Sequence, residues 1–178
     1  MKVGVITDSH DAVAHVKRAR QVFAESKVDL VIHCGDIVSP FTLRQLAGLN
    51  CRTVFTFGNN DGDHEYLLRA AKQENAELYD RPQELQHEGW KVLLLHEPDN
   101  LETYAASGQY DLITYGHTHR VDIRTVGETL IVNPGESWGW ITGRANVAIV
   151  DLETKSAALV LLNELEDWEP PIRNKGGK

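Results

Sequence analysis

Apolar residues in the first half of the chain fall in short runs separated by longer amphipathic stretches. Val3–Ile6, Leu30–His33 and Thr53–Phe57 are rich in β-branched and aromatic residues, which is the pattern of buried strands. Between the first two runs, Val13, Val16, Ala19, Phe23 and Ala24 recur near helical spacing, with Lys17, Arg18 and Arg20 between them. The spacing predicts strand 2–7, helix 12–26, strand 29–34, helix 39–48, strand 51–57 and helix 62–75. Strands alternating with helices imply parallel βαβ units with right-handed crossovers.

The pattern changes after residue 80. Segments 83–88 and 90–95 flank Gly89 as a hairpin would, a helix is predicted over 98–107, and a strand over 111–115. Strand-like runs follow at 121–126, 129–133, 145–151 and 156–163, with turns at Gly127-Glu128 and Glu153-Thr154. So many strands with few intervening helices suggest a second, mostly antiparallel sheet packed on the first. At 178 residues one domain is expected, over 1–165, followed by a flexible tail at 166–178 that carries Pro170-Pro171 and ends in Asn174-Lys175-Gly176-Gly177-Lys178.

Composition narrows the function classes. The formal charge of −8 argues against a sequence-independent grip on a nucleic-acid polymer, which needs a basic face. No apolar run approaches the ~20 residues of a membrane span, and MKVGVIT enters a strand without a signal-peptide pattern. With only two cysteines, Cys34 and Cys51, a disulfide framework is not expected and the cytoplasm is the default location.

Five blocks of chemistry-bearing residues each follow a strand-like run: Asp8-Ser9-His10, Gly35-Asp36, Gly58-Asn59-Asn60-Asp61, His96 and Gly116-His117-Thr118-His119. Parallel strand ends gather such residues at one sheet edge. Residues i and i+2 of extended chain point the same way, so Asp8 with His10, and His117 with His119, each present a pair. The glycines let the backbone turn sharply and come close to an ion. Asp8, His10, Asp36, Asn59, His96, His117 and His119 supply only oxygen and imidazole donors, more of them than one ion needs. They read as a two-metal hydrolytic centre. Two ions ~3.5–4 Å apart need a bridging ligand, and Asp36, isolated between the pairs, is the natural carboxylate for it. No cysteine lies among the proposed ligands, which disfavours structural zinc. Ser9 and Thr118 have no base placed to activate them, so serine-type hydrolysis has no support. His15, His64 and His87 read as surface or satisfied histidines, His33 as a hydrogen-bonded core histidine, and Cys34 as a small buried hydrophobe. Trp138 and Trp140, in PGESWGWITG, fit either the core or an exposed aromatic subunit contact, and a homodimer is expected.

These blocks, in this order, resemble the calcineurin-like metallophosphoesterase superfamily, and among its members the small single-domain phosphodiesterases of the YfcE type. The resemblance runs from Lys2 to about Leu162 and includes the stretch Ile131-Val132-Asn133-Pro134-Gly135-Glu136. It implies an α/β fold, a four-layer α/β/β/α sandwich with two mixed β-sheets. It also implies a ligand allocation: Asp8, His10, Asp36 and His119 for one ion; Asp36, Asn59, His96 and His117 for the other. The implied activity is hydrolysis of small phosphate diesters through a dinuclear centre and a bridging hydroxide. Mn²⁺ is the expected metal, with Ni²⁺, Co²⁺, Fe²⁺ or Zn²⁺ as substitutes. The alternatives are a phosphomonoesterase, a nuclease acting on polymer, or a non-catalytic scaffold with the same fold.

The chain departs from the pattern at two places. Many relatives carry His where Asn60 stands, and continue the lone His as His-Gly-His where this chain has His96-Glu97-Pro98. Asn60 can donate a hydrogen bond to a phosphate oxygen but cannot supply a proton. Asn60 and Asp61 are the candidates for phosphate contact and for support of the ligands.

Overall fold

The computed structural model describes residues 1–163; the expected tail lies outside the described residues. The chain runs β1 (Lys2–Ile6), α1 (Val13–Ser26), β2 (Leu30–His33), α2 (Pro40–Leu46), β3 (Arg52–Thr56), α3 (His64–Gln73), β4 (Glu77–Tyr79), β5 (Gln83–His87), β6 (Trp90–Leu94), α4 (Leu101–Ala106), β7 (Leu112–Thr114), β8 (Val121–Val126), β9 (Thr129–Pro134), β10 (Asn146–Asp151) and β11 (Ser156–Leu161). One sheet has the order β11-β10-β1-β2-β3-β4, the other β5-β6-β7-β9-β8.

Three apolar clusters define four layers. Alternate residues of a strand face opposite sides of its sheet, and β1 and β2 divide accordingly. Ile6 and Val31 pack with Val16, Ala19 and Phe23 of α1 and with Leu43, Leu46 and Leu67 of α2 and α3. Val3, Val5, Leu30 and Ile32 face Val92, Leu94, Leu112, Leu130 and Val132 of the second sheet. On the outer face of that sheet, Leu93, Ile113 and Ile131 receive Leu101 and Ala105 of α4. Burying a side chain the size of Leu or Phe contributes ~1.5–3 kcal/mol, so these clusters hold the layers together.

Both sheets are mixed, which corrects the expectation of a second, mostly antiparallel sheet. β10 and β11 join the first sheet, with β10 antiparallel to β1. In the second sheet β6, β7 and β9 run parallel, flanked by the antiparallel strands β5 and β8. The cause is the connections. α4 carries the chain back between β6 and β7, and the β8–β9 hairpin turning at Gly127-Glu128 sets β9 alongside β7. Local alternation is the same for strands of either sheet, so it cannot tell which sheet receives them.

One strand was not anticipated. β4 has three residues, too few to show a period, and exists through its parallel pairing of Val54 with Glu77, Phe55 with Leu78 and Thr56 with Tyr79. Helices α2 and α4 are shorter than their predicted spans. α2 stops at Leu46 because Ala47 turns to extended backbone. α4 starts only after Asn100, which sits in the left-handed region. Among the described residues no helix is long and apolar enough to cross a membrane.

Candidate metal centre

β1, β2, β3, β6 and β7 end at one rim of the sandwich, and each is followed by one of the five blocks. The turns that carry the candidate ligands use strained backbone. Asp8, His10, Asp36, His117 and His119 all have positive φ, from 40° to 64°. Such conformations are uncommon away from glycine and gather at functional sites, where the surroundings hold them in place. Two glycines make room. A Cβ on Gly58 would lie 2.1 Å from Asp36 Oδ1, and one on Gly116 would lie 2.0 Å from Thr7 Oγ1 and 2.6 Å from Asp8 Oδ2.

All seven candidate ligands converge. One ligand atom each from Asp8, His10, Asp36 and His119 falls within 4.8 Å of the others. Asp36 joins the two halves: Oδ2 is 3.4 Å from His10 Nε2, and Oδ1 is 3.4 Å from His96 Nε2. Asn59 Oδ1 lies 2.9 Å from both His96 Nε2 and His117 Nδ1.

The proton positions follow from hydrogen bonds on the far side of the rings. His96 Nδ1 is 2.7 Å from the Cys34 carbonyl, which can only accept, so Nδ1 carries the proton and Nε2 presents a lone pair. His119 Nδ1 donates to Glu136 Oε2 at 3.2 Å, a bond that raises the His119 pKa against burial; in the neutral ring Nε2 is bare 3.4 Å from Asp8 Oδ1. His10 Nε2 is buried without a hydrogen-bond partner. In the neutral rings the Nε2 lone pairs of His96 and His119 face Asn59 Oδ1 at 2.9 Å and Asp8 Oδ1 at 3.4 Å, contacts that repel unless a proton or a metal cation lies between them. Donors bound at ~2.1 Å to one ion and subtending 90–109° lie ~3.0–3.4 Å apart. Buried lone pairs, spacing and donor chemistry all fit divalent cations.

The surroundings set the charges. Burial pushes the Asp8 carboxyl up, against the hydrogen bond that Thr7 Oγ1 donates to it at 2.7 Å. Burial opposes charge on Asp36 too. There the Asn60 backbone and side-chain N–H groups, each 2.8 Å away, prevail and hold the carboxyl below its ordinary range. Asn60 therefore grips Asp36. Asp61 accepts the N–H groups of Asp36 at 3.2 Å, Val38 at 2.6 Å and Gly58 at 2.6 Å, so it shapes the turns that carry Asp36 and Asn59. His33 is fully buried, and burial lowers its pKa to about 3. Its Nδ1 accepts from Gly35 N at 3.2 Å, so Nε2–H donates to Ser9 Oγ at 2.8 Å, and Ser9 donates on to the Asp36 carbonyl. The core-histidine reading of His33 holds, as does that of Cys34 as a buried residue.

Two features escaped the sequence reading. Glu136, fully buried, accepts from His119 Nδ1, Ile141 N and Thr142 N and Oγ1. Burial raises its pKa, but those hydrogen bonds outweigh it and the carboxyl lies below its usual range. An acid inside an otherwise small, Gly-rich turn was the available signal. The second is Glu97, whose carboxylate shares the His96–His117 cluster while its Oε2 pairs with Arg81 Nε at 2.6 Å. Arg81 also donates to the Phe57 carbonyl at 2.9 Å, tying the ends of β3 and β6 together.

An α/β/β/α sandwich whose strand ends bring aspartates and histidines to one rim defines a metallohydrolase class. The chain belongs to the calcineurin-like phosphoesterase superfamily, whose domain model matches residues 1–155. The family implies divalent metal ions, in keeping with these donors. Phosphodiesterase MJ0936 of Methanocaldococcus jannaschii is 35% identical over 165 residues, covering 91% of this chain and 99% of that protein. A solved archaeal phosphodiesterase is 33% identical with a TM-score of 0.83, over 90% of this chain and 99% of that one. The E. coli phosphoesterase YfcE, 22% identical, has the same fold with a TM-score of 0.67, over 92% of this chain and 100% of its own.

Proposed function

We propose that the protein is a metal-dependent phosphodiesterase acting on small phosphate diesters. One ion is held by Asp8, His10, Asp36 and His119, the other by Asp36, Asn59, His96 and His117. The observation that carries this reading is the Asp36 carboxylate, with one oxygen toward His10 and the other toward His96. Divalent cations bound there supply Lewis acidity, charge neutralisation and a lowered pKa for water.

The protein's own groups orient and tune. Asn60 donates to both Asp36 oxygens, which favours the ionised carboxylate and fixes its orientation. Glu136 and the Cys34 carbonyl hold His119 and His96 in the tautomers that leave Nε2 bare. Two dications would outweigh the two carboxylates proposed as ligands, Asp8 and Asp36, and would draw an anionic ester to the rim although the chain carries −8. A diester monoanion has one fewer anionic oxygen to desolvate than a monoester dianion, which favours diesters over the phosphomonoesterase alternative. Convergence of all seven donors disfavours a non-catalytic scaffold. Mn²⁺ is the proposed metal, with Ni²⁺, Co²⁺, Fe²⁺ or Zn²⁺ as substitutes. A homodimer and a cytoplasmic location complete the proposal. The test is turnover of bis-p-nitrophenyl phosphate and p-nitrophenyl phosphate by chelator-stripped protein before and after adding each metal. Full activity without metal, or preference for the monoester, overturns it.

A further inference from the structure

The turn between β9 and β10 carries two tryptophans to which the metal centre assigns no role. Ser137 N donates to the Thr7 carbonyl at 3.0 Å and Trp138 N to the Asp8 carbonyl at 3.2 Å. Glu136 accepts from His119 and Ile141 on Oε2 and from Thr142 on Oε1. The turn is therefore pinned to the segments that present Asp8 and His119. The half-buried Trp138 ring lies 4.7 Å from the His10 ring, tilted by 42°. Trp140 stacks on Trp138 at 5.6 Å and 11°, yet is 54% exposed. Gly139 between them has φ +79°, and a Cβ there would lie 3.2 Å from Ala145, so the backbone that sets the two rings face to face is closely packed. An aromatic ladder thus runs from a proposed ligand out to solvent, with its outer ring stacked on the inner one.

We propose that Trp138 and Trp140 form a subsite that stacks an aromatic ring of the substrate, so that the preferred diesters carry an aryl or nucleoside group. This rests on the phosphodiesterase reading for the chemistry but on separate residues for the ring. Stacking tolerates many rings because each has a π face, and a pre-placed Trp loses little freedom on binding. A homodimer contact through the same rings would bury Trp140 in a partner; the substrate subsite needs it open. That opposition separates the two.

The experiment measures binding of diphenyl phosphate and dibutyl phosphate, of the same charge with and without a π face, to Mn²⁺-loaded protein. Tryptophan fluorescence and calorimetry are the readouts, on wild type and Trp140→Ala. Diphenyl phosphate should quench the fluorescence. Trp140→Ala should weaken it roughly tenfold relative to dibutyl phosphate, and raise KM more than it lowers kcat for bis-p-nitrophenyl phosphate. An unchanged diphenyl-to-dibutyl ratio overturns the subsite, as does a dimeric wild type that Trp140→Ala converts to monomer with that ratio intact. If bis-p-nitrophenyl phosphate is not turned over but the ratio still falls, the ring subsite stands and the phosphodiesterase reading fails.

Discussion

Replacing Glu136 by Gln tests whether the metal centre is held together from behind. The change keeps the shape and removes one charge. In the native site both carboxylate oxygens accept: Oε1 takes Thr142 N at 2.6 Å and Thr142 Oγ1 at 2.7 Å, and Oε2 takes His119 Nδ1 at 3.2 Å and Ile141 N at 3.3 Å. An amide can accept on one side only. If its NH₂ faces Thr142, a partly buried backbone N–H loses its acceptor, which costs ~0.5–1.5 kcal/mol. If it faces His119, the imidazole must move its proton to Nε2, the nitrogen that looks at Asp8. Either way His119 also loses the anion that makes it a better donor. Loss of such a supporting partner weakens metal binding ~10–100-fold, or ~1.4–2.7 kcal/mol. Calorimetric titration of Mn²⁺ into chelator-stripped protein should show that loss. The melting temperature of the stripped variant should fall by ~2–4 °C per kcal/mol of the unsatisfied donor. Excess Mn²⁺ should restore most of kcat, because the ligands themselves remain. A variant that binds metal with wild-type affinity refutes the reasoning.

Asp36→Ala should lower bound metal from two ions toward none and abolish turnover, whereas Asn59→Ala should retain one; elemental analysis with kcat decides, and two ions retained in Asp36→Ala disproves the bridge. Asn60→His should speed substrates with poor leaving groups more than aryl diesters, since a general acid contributes ~10²–10⁴-fold; a leaving-group plot with unchanged slope counts against Asn60 as the specificity determinant. His33 has an unfolded pKa of 6.5 and a folded pKa of about 3. Its contribution to stability is complete above pH 6.5 and drains away as the pH falls toward 3, because the unfolded chain takes up the proton first. Urea midpoints from pH 7 to 4 should therefore fall less steeply in His33→Gln than in wild type, and parallel curves would contradict the assignment.

The β-strands and the rim were legible because their signals are local. Val3, Val5 and Ile6 announce a strand as a short β-branched run, and a Gly-Asp or Gly-His turn after such a run places its side chain at the strand's end whatever the strand pairs with. The five blocks and their seven donors could thus be picked out in one dimension. What tertiary structure alone decided depends on partners far apart in the chain. β10 and β1 share the repeating pattern of any strand, so only their pairing shows that the first sheet receives β10. β4 is a strand only because β3 lies beside it. The His96 tautomer is set by a carbonyl 62 residues away, and Asp8 receives the N–H of His117 across 109 residues. Glu136 looked like any acid in a turn until folding closed His119, Ile141 and Thr142 around it. Residue type and strand period are properties of neighbours along the chain, whereas sheet membership, proton position and charge balance are properties of neighbours in space.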